Sequence, residues 1–593
     1  MATSNHDEDL KLALALSMQQ SPAGASKNAV VDLTSDHEGD DGEDEALKRA
    51  IALSMQDIAQ SPNTTSTTTR YQQPSAITSP SEELTQQAAK TTVDSMPKSL
   101  SRSSFAMDRK TMEAERLARL EERKRKRTPS PDRPTKQPSK TLALTMMKDL
   151  TKSRSQVDPV LQYPQGVIKR TFATRFPRND DITIDEVLQA STVSIAVISS
   201  FQWDAEWLSR KLSHTKVKQY WVMNARDAET QARWRRDLVH CGIPNLRIHF
   251  PPMNTAVGSA HSKYMLLVGE KKLRIVISTA NMEPEYWGEV KNEWQPGVLE
   301  NSVFFIDLPR RADGLVGSVN ELTPFGRELV HFLEAQQIDQ WVVQGVLKFD
   351  FSHTGHLAFV HSIGTPSDTE AHPTGLPGLA RAIRGLQLDN VKSLELDSTA
   401  SSLGALDEPF LQRIYLAAQG LPYSATSKTT ELHDKFRIYY PTEDTVKSSI
   451  GGPDCAGIIS LRKAHQSSPA FPVGYLRDYV STRKGMLSHN KLLFARGRYV
   501  DGNPFAWVYV GSANMSESAW GAQKVLKSGK LGKLIIRNWE CGVIITVPSE
   551  RLEDLQLEEG EAPPMSVFKG TIDVPFQYPG ELYNGRKPWL QNF

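Results

Sequence analysis

Large apolar residues occur in short, nearly continuous runs, and two of the regions that contain such runs follow the same pattern. In the first region, residues 264–268 read YMLLV, residues 269–272 are a glycine and three charged residues, and residues 273–279 read LRIVIST. In the second, residues 492–495 read LLFA and residues 507–512 read WVYVGS. Both patterns predict β-hairpins. Because their strands lack polar–apolar alternation, they indicate a central sheet that is covered on both faces.

The N-terminal quarter of the chain has a different pattern, because residues 60–110 are rich in Ser, Thr, Gln and Pro and poor in large apolar side chains. Such a segment cannot bury enough surface to offset its ordering entropy. The net charge of the whole chain is only +1, yet residues 1–60 carry 12 acidic and 4 basic side chains and residues 101–154 carry 7 and 16. We therefore predict a disordered regulatory tail over residues 1–156 and a folded part that begins near Val157.

Two segments of this tail, residues 7–20 and 43–57, share one arrangement of an acidic lead followed by Leu, Ala, a large apolar residue, Ser and Met. On a helix these positions fall on one narrow stripe. The segments resemble the ubiquitin-interacting motif, and the alternative is a pair of ordinary amphipathic helices that pack on the enzyme. The residues predicted to contact ubiquitin are Leu10, Ala13, Leu14 and Ser17 in the first segment and Leu47, Ala50, Ile51 and Ser54 in the second.

Two further short patterns in the tail favour interaction and targeting. Residues 30–34, VVDLT, are followed by acidic residues and look like a SUMO-interaction motif, a short pattern that also arises by chance. The basic run at residues 123–127 resembles a nuclear localisation signal, and its alternative is a solvated charge run. Ser130, followed by proline, is a candidate phosphorylation site beside this run.

The two predicted hairpins carry the same polar residues. His261 and Lys263 precede the first hairpin, and Asn281 follows it; His489, Lys491 and Asn514 occupy the corresponding places in the second. Residues i and i+2 of an extended strand point to the same face, so each His projects with its Lys. Two such units facing one another would place two imidazoles, two ammonium groups and two carboxamides around one anion, which is what phosphoryl transfer requires.

These motifs resemble those of the phospholipase D superfamily, whose HxK is followed by x4-D. Val268 and Arg496 occupy the positions of that Asp, and this departure is similar to the tyrosyl-DNA phosphodiesterase branch. The segment 536–543, with Glu540, and the C-terminal sequence also look like that branch. The resemblance implies an α/β fold of two similar α-β-α sandwich halves, residues 157–345 and 346–593, each carrying one HxK motif.

The resemblance also implies the roles of individual residues. His261 would be the nucleophile that forms a phosphohistidine, and His489 the general acid and base. Lys263, Lys491, Asn281 and Asn514 would bind the non-bridging oxygens, and Glu540 would orient one imidazole. Ser401 and Ser402 match a loop that lies on the DNA strand in the family, and Asn292 falls where the family has a Gln that supports a histidine.

The implied reaction is metal-independent and cofactor-free hydrolysis of 3′-phosphotyrosyl bonds between DNA and stalled topoisomerase I, and of other 3′ blocking groups. The expected partners are single-stranded or nicked DNA bearing a 3′ tyrosyl peptide, then ubiquitin and SUMO, with no membrane. We expect a monomeric nuclear repair enzyme. Basic and aromatic residues in the second half could bind phosphates and bases or be solvated surface: Arg477, Tyr479, Arg483 and Lys484.

Two alternatives belong to other functional classes. One is a phospholipase D-type lipid or general phosphodiesterase, against which stand the missing Asp positions and the basic nuclear-type tail. The other is a ubiquitin-binding adaptor with an inactive enzyme domain, against which stands the presence of all six motif residues. A metal-free assay on a 3′-phosphotyrosyl oligonucleotide discriminates between them.

Overall fold

The computed structural model describes residues 161–591 except 241–242, 254–257, 292–295, 298, 365–370, 423–430, 524–527 and 529–531. The predictions for the tail, including both ubiquitin-motif segments, the SUMO and nuclear patterns and the start near Val157, lie outside the described residues. So does Asn292.

The first half contains a seven-stranded sheet in the order β1-β9-β7-β6-β2-β3-β4. Its strands are β1 (Val167–Arg170), β2 (Val193–Ser199), β3 (Lys218–Val222), β4 (Leu246–His249), β6 (Tyr264–Gly269), β7 (Lys272–Ser278) and β9 (Ser302–Pro309). The hairpin predicted from residues 264–279 is the antiparallel pair β6–β7, in which Leu266 lies opposite Ile275.

The second half contains a sheet whose main path runs β10-β19-β18-β17-β11-β13-β15. Its strands are β10 (Leu357–Ser362), β11 (Val391–Ala400), β13 (Phe436–Tyr440), β15 (Leu476–Asp478), β17 (Lys491–Tyr499), β18 (Pro504–Gly511) and β19 (Asn538–Thr546). The second predicted hairpin is β17–β18. Because β6, β7 and β9 take the same places in the first path as β17, β18 and β19 in the second, the internal repeat is a repeat of topology.

Helices cover the sheets, as the apolar strands predicted. They are α1 (Ile184–Leu188), α2 (Ala205–Lys211), α3 (Ala228–His240), α4 (Pro324–Ala335), α5 (Gln340–Val346), α6 (Leu376–Gly385), α7 (Glu408–Ala417), α8 (Leu432–Lys435), α9 (Glu443–Lys447), α10 (Lys463–Gln466), α11 (Glu517–Trp520) and α12 (Glu550–Glu553). Short 3₁₀ helices span Pro284–Trp287, Val319–Glu321, Ser352–Thr354, Pro453–Cys455, Val473–Tyr475 and Met565–Phe568.

Alternate side chains of one strand enter two different cores. Met265 and Leu267 pack in one core with Trp207 and Leu208 of α2, whereas Leu266 packs in the other, which also contains residues of α4 and α5. This division is the reason why β6 has no polar face. The predicted α-β-α layering is confirmed.

Helix α4 lies between the two sheets. It begins with Thr323 as N-cap, whose side chain accepts a hydrogen bond from the backbone N–H of Gly326, and with Pro324 in the first turn. The ring of Phe332 lies 6.1 Å from Tyr264 of the first sheet and 5.6 and 5.9 Å from Phe359 and Trp539 of the second. The two halves therefore share a buried layer.

The described part of the chain also contains five two-residue strands: β5 (Ser259–Ala260), β8 (Leu299–Glu300), β12 (Ser402–Leu403), β14 (Ser460–Leu461) and β16 (Leu487–Ser488). Two of their pairings join the halves, since β5 pairs in parallel with β19 and β16 pairs in parallel with β8. Each of these pairings places the start of one HxK motif against the other half of the molecule.

Candidate active site

The two HxK motifs are held by matching backbone contacts. The N–H of His261 donates to the carbonyl of Trp539 at 3.0 Å, and the N–H of His489 donates to the carbonyl of Glu300 at 2.9 Å. In each case, the residue that follows the carbonyl acceptor in sequence contacts the imidazole of the histidine. The arrangement brings both motifs to one place and gives each histidine a partner from the opposite half.

His261 is supported by a carboxylate. Its Nδ1 lies 2.9 Å from Oε2 of Glu540, which also accepts from the hydroxyl of Ser512, while Oε1 accepts from Nδ2 of Asn538 at 3.0 Å. A carboxylate can only accept, so His261 carries its proton on Nδ1 and its Nε2 is left as the nucleophilic nitrogen. The predicted orienting role of Glu540 is consistent with this contact.

Burial and charge set the pKa values of this pair. Burial lowers the pKa of His261 below its usual value, and the charge of Glu540 opposes that effect. Burial would raise the pKa of Glu540, but the interactions with His261, Lys263 and the Ser512 hydroxyl together outweigh it and the pKa is lowered. At neutral pH the pair is therefore a neutral imidazole in contact with a carboxylate.

His489 is supported by a carboxamide, which the sequence analysis missed. Its Nδ1 lies 3.1 Å from Oδ1 of Asn301. The amide is oriented by two other contacts, because its Nδ2 donates to the carbonyl of Tyr286 at 3.0 Å and its Oδ1 accepts from the hydroxyl of Thr279 at 2.9 Å. His489 therefore also carries a proton on Nδ1, but the group that accepts it has no charge.

The pKa of His489 is well below the usual value, first because of burial and then because of the positive charges of Lys491 and Lys263; a proton on His261 would lower it further. Burial likewise lowers the pKa of Lys263 to about 8 and that of Lys491 well below its usual value. The site thus concentrates groups that gain protons when a negative charge enters.

The lysines are positioned by carbonyl groups of their own motifs. Nζ of Lys263 donates to the carbonyl of His261 at 2.8 Å, and Nζ of Lys491 donates to that of His489 at 2.6 Å. Lys491 also donates to the hydroxyl of Ser401 at 2.9 Å. Ser401 is therefore a direct neighbour of a motif lysine, a place that the loop match did not predict.

The two asparagines have different surroundings. Oδ1 of Asn514 accepts from the backbone N–H of Ser402 at 3.2 Å and from the hydroxyl of Ser401 at 3.3 Å, which leaves its amide NH₂ to meet a ligand. Nδ2 of Asn281 instead donates to Oε1 of Gln202 at 2.8 Å, while its buried Oδ1 has no partner among the described residues. To donate to a phosphate, Asn281 has to turn away from Gln202.

The sequence does contain a signal for Asn301. If the internal repeat is extended past each hairpin, Glu300-Asn301 comes immediately before β9 and Trp539-Glu540 lies at the start of β19, and these strands occupy the same place in their sheets. The repeat therefore aligns Asn301 with Glu540. Counting from the first Asn motif instead points to Asn292, which lies outside the described residues, and it does not lead to Asn301.

The sequence predicted that Tyr479 and Arg483 either bind DNA or are solvated. Both alternatives are wrong, because the two side chains are buried and available neither to DNA nor to solvent. The hydroxyl of Tyr479 donates to Oε2 of Glu300 at 3.2 Å, and Arg483 donates to the carbonyl of Thr171 at 2.7 Å. Both stabilise the segment that contains Asn301. Lys484 is exposed.

Within the described part of the chain, no group of three or more His, Cys, Asp or Glu side chains has a geometry that could hold a metal ion. Over the same residues, no helix has both the length and the apolar character that a membrane crossing requires.

The sequence model of the family described as "Tyrosyl-DNA phosphodiesterase" matches residues 167–584, which is most of the chain. The chain therefore belongs to the tyrosyl-DNA phosphodiesterase family. The model described as "Ubiquitin interaction motif" matches residues 7–21 and 43–58, so the two motif assignments in the tail are confirmed.

Similar proteins carry the same family name. The probable tyrosyl-DNA phosphodiesterase of Caenorhabditis elegans is 24% identical over 49% of this chain and 63% of its own length. Tyrosyl-DNA phosphodiesterase 1 of Arabidopsis thaliana is 24% identical over 61% of this chain and 58% of its own. The chain thus spans about three-fifths of these curated relatives. The crystal structure of the yeast tyrosyl-DNA phosphodiesterase is 18% identical, has a TM-score of 0.52 and is matched over 72% of this chain and 100% of its own, which supports the fold.

Proposed function

We propose that this protein hydrolyses the phosphodiester bond between a tyrosine and the 3′ end of DNA, without a metal ion, through a covalent intermediate on His261. The observation that carries the proposal is the pair of buried HxK motifs with different groups behind their imidazoles. A carboxylate behind His261 makes its Nε2 more basic and stabilises the cation that forms on attack. A neutral amide behind His489 makes that imidazole the better proton donor.

The first step forms a bond between Nε2 of His261 and phosphorus and breaks the bond between phosphorus and the tyrosine oxygen. His489 donates the proton from its Nε2 to that oxygen. In the second step His489 takes a proton from water, the water oxygen bonds to phosphorus, and the N–P bond breaks to leave a 3′-phosphate. General acid–base assistance of this kind contributes about 10²–10⁴-fold.

His489 can hold the required proton once substrate is bound. Its pKa in the free protein is depressed by burial and by the lysines, and the negative phosphodiester offsets the charges of Lys263 and Lys491. The same two ammonium groups supply the positive charge that a metal ion supplies in other phosphodiesterases. A phenolic oxygen, with a pKa of about 10, leaves more readily than a sugar hydroxyl. This favours tyrosyl adducts such as those of stalled topoisomerase I over ordinary DNA linkages.

The tail supports a role in repair at specific places. We infer that the two ubiquitin-interaction motifs bring the enzyme to ubiquitin-modified protein–DNA adducts, where residues 30–34 bind SUMO. The basic run at residues 123–127 directs this monomeric enzyme to the nucleus, and phosphorylation of Ser130 weakens the local positive charge.

The test uses labelled 3′-phosphotyrosyl DNA with EDTA present throughout. His261→Ala should be close to inactive, since it lacks the nucleophile. His489→Asn should form the intermediate slowly and hydrolyse it more slowly still, so an acid-labile protein–DNA band should accumulate on a denaturing gel.

Other results of the same assay would each change the proposal. A band from His261→Ala and none from His489→Asn would exchange the two roles. Loss of wild-type activity in EDTA with recovery in magnesium would overturn the metal-free mechanism. Cleavage of phospholipid but not DNA would support the lipid alternative, and no cleavage at all would support the inactive adaptor.

A further inference from the structure

An acidic cleft lies next to His489. It has a volume of about 230 Å³, and its lining includes Gln202, Tyr286 and Leu299 together with the acidic residues Glu283, Glu285 and Asp454. The edge of Tyr286 meets the ring of His489, with centroids 4.8 Å apart. The cleft therefore opens beside the imidazole that serves as general acid.

The carboxylates of the cleft are only partly compensated. Among the described residues that line it, Lys291 is the one cation, and its Nζ lies 3.2 Å from Glu283 and 3.3 Å from Glu285. Three carboxylates against one ammonium group give these described lining residues a formal charge of −2. Asp454 is exposed and belongs to the opposite half of the chain, so both halves contribute negative charge.

Glu285 is the feature that points to a ligand. Only 3% of this residue is exposed, and its Oε2 has no hydrogen-bond partner among the described residues. A buried carboxylate oxygen without a hydrogen-bond partner is energetically unfavourable. Burial, together with the charge of Glu283, raises the pKa of Glu285. A cationic group in the cleft would relieve both effects.

The position of the cleft decides which part of a substrate enters it. The general acid must lie on the side of the leaving group, because its proton goes to the oxygen whose bond breaks. Carboxylates repel the phosphates of a DNA strand, so the DNA leaves the site in another direction. The peptide attached to the tyrosine is the part of the substrate that is not polyanionic.

We propose that this cleft binds the peptide side of the substrate and selects peptides with Lys or Arg next to the adducted tyrosine. The inference rests on the proposed function. Glu285 and Asp454 act as specificity residues: they contact the cationic side chain and take no part in bond breaking.

The experiment compares two substrates that share one 3′-phosphotyrosyl oligonucleotide and differ in the residues beside the tyrosine, which are either Lys or Glu. The wild-type protein should show about a tenfold higher kcat/KM for the Lys substrate, which corresponds to ~1.4 kcal/mol. Glu285→Gln should reduce this ratio, and Asp454→Lys should reduce it to one or invert it. Glu559→Gln, which removes an exposed carboxylate outside the cleft lining, should leave the ratio unchanged.

The outcomes separate the two proposals. If neither substrate is cleaved, the proposed function fails. If both are cleaved with equal kcat/KM, or if Asp454→Lys and Glu285→Gln retain the wild-type ratio, the function stands and the inference about the cleft is overturned. Because Asp454 is exposed, its variant gives a result even if Glu285→Gln does not fold.

Discussion

Two imidazoles with nearly the same backbone setting differ in the charge of the side chain behind them. Glu540 presents a charged oxygen to His261, and Asn301 presents an uncharged amide oxygen to His489. Both contacts select the same tautomer, since both acceptors take the Nδ1 proton. The difference between the two sites is therefore electrostatic, and it can be altered by exchanging the supporting groups.

Glu540→Gln keeps the shape of the support and removes its charge. We expect kcat/KM to fall by about 10–100-fold, the usual effect of losing such a supporting partner. The carboxylate raises the pKa of His261, so its loss lowers that pKa further. Because His261 must be neutral to attack, the acidic limb of the pH profile of kcat/KM should move to lower pH. An acidic limb at the wild-type position would show that Glu540 does not govern His261.

Asn301→Asp makes the opposite change at His489. A carboxylate beside Nδ1 should raise the low pKa of His489 by about one unit or more. Since His489 must be protonated to act as the acid, the alkaline limb of the kcat/KM profile should move to higher pH. Asn301→Ala is the control, because it removes the support without adding charge and should lower the rate with no such upward movement. If Asn301→Asp left the alkaline limb in place, His489 would not be the acid.

At this scale the sequence identifies residues whose chemistry is local. The six motif residues could be predicted because each His, Lys and Asn lies in a repeated pattern. Asn301 could not be found by counting from Asn281, since its contact depends on which segment of one half pairs with the other half. The buried state of Tyr479 is also set by tertiary packing and not by its neighbours in sequence.

At the scale of elements, the strands of the two hairpins could be predicted because continuous apolar runs need cover on both faces. The pairings of β5 with β19 and of β8 with β16 could not, because a two-residue strand has no periodicity to detect. These short pairings nevertheless position both histidines. The strand pairings that position the two histidines are thus the ones with the weakest sequence pattern.

A buried ion pair joins three elements of the first half. The guanidinium of Arg274 in β7 donates to both carboxylate oxygens of Asp307 in β9 at 2.7 and 2.9 Å, and to the carbonyls of Glu186 and Val187 in α1. Removal of one partner leaves a buried charge without its main counter-ion. The pair therefore contributes more to holding the elements together than an exposed pair would.

We predict that Arg274→Met lowers the free energy of unfolding by ~3 kcal/mol. Arg274→Met with Asp307→Leu should recover part of this loss, because the double variant leaves no unpaired carboxylate. Arg311→Met is the matched control; it breaks an exposed pair with Asp313, whose side chain is 42% exposed, and should change stability by less than ~1 kcal/mol. Urea unfolding followed by tryptophan fluorescence measures all three. Equal losses for Arg274→Met and Arg311→Met would contradict the argument.

At the scale of the whole molecule, the charged blocks of the tail and the six motif residues lie in different parts of the chain. The acidic and basic blocks lie before residue 155, and the six motif residues lie between residues 261 and 514. Every contact described for those six residues is made by residues from 201 onward. Chemistry and targeting should therefore be separable by truncation.

Removal of residues 1–156 should leave kcat on a bare 3′-phosphotyrosyl oligonucleotide within about threefold of the full chain. The same truncation should abolish any preference for an adduct whose peptide carries a ubiquitin chain, because two linked motifs gain affinity from effective concentration only when both engage. Replacing Ala13 and Ala50 with Arg in the full chain should reproduce the loss of preference and keep kcat, since a bulky side chain on the predicted contact stripe prevents close approach. Replacing only one alanine should retain part of the preference.

A large fall in kcat after truncation would show that the tail completes the active site, and an unchanged preference in the double variant would remove ubiquitin from the function of these motifs.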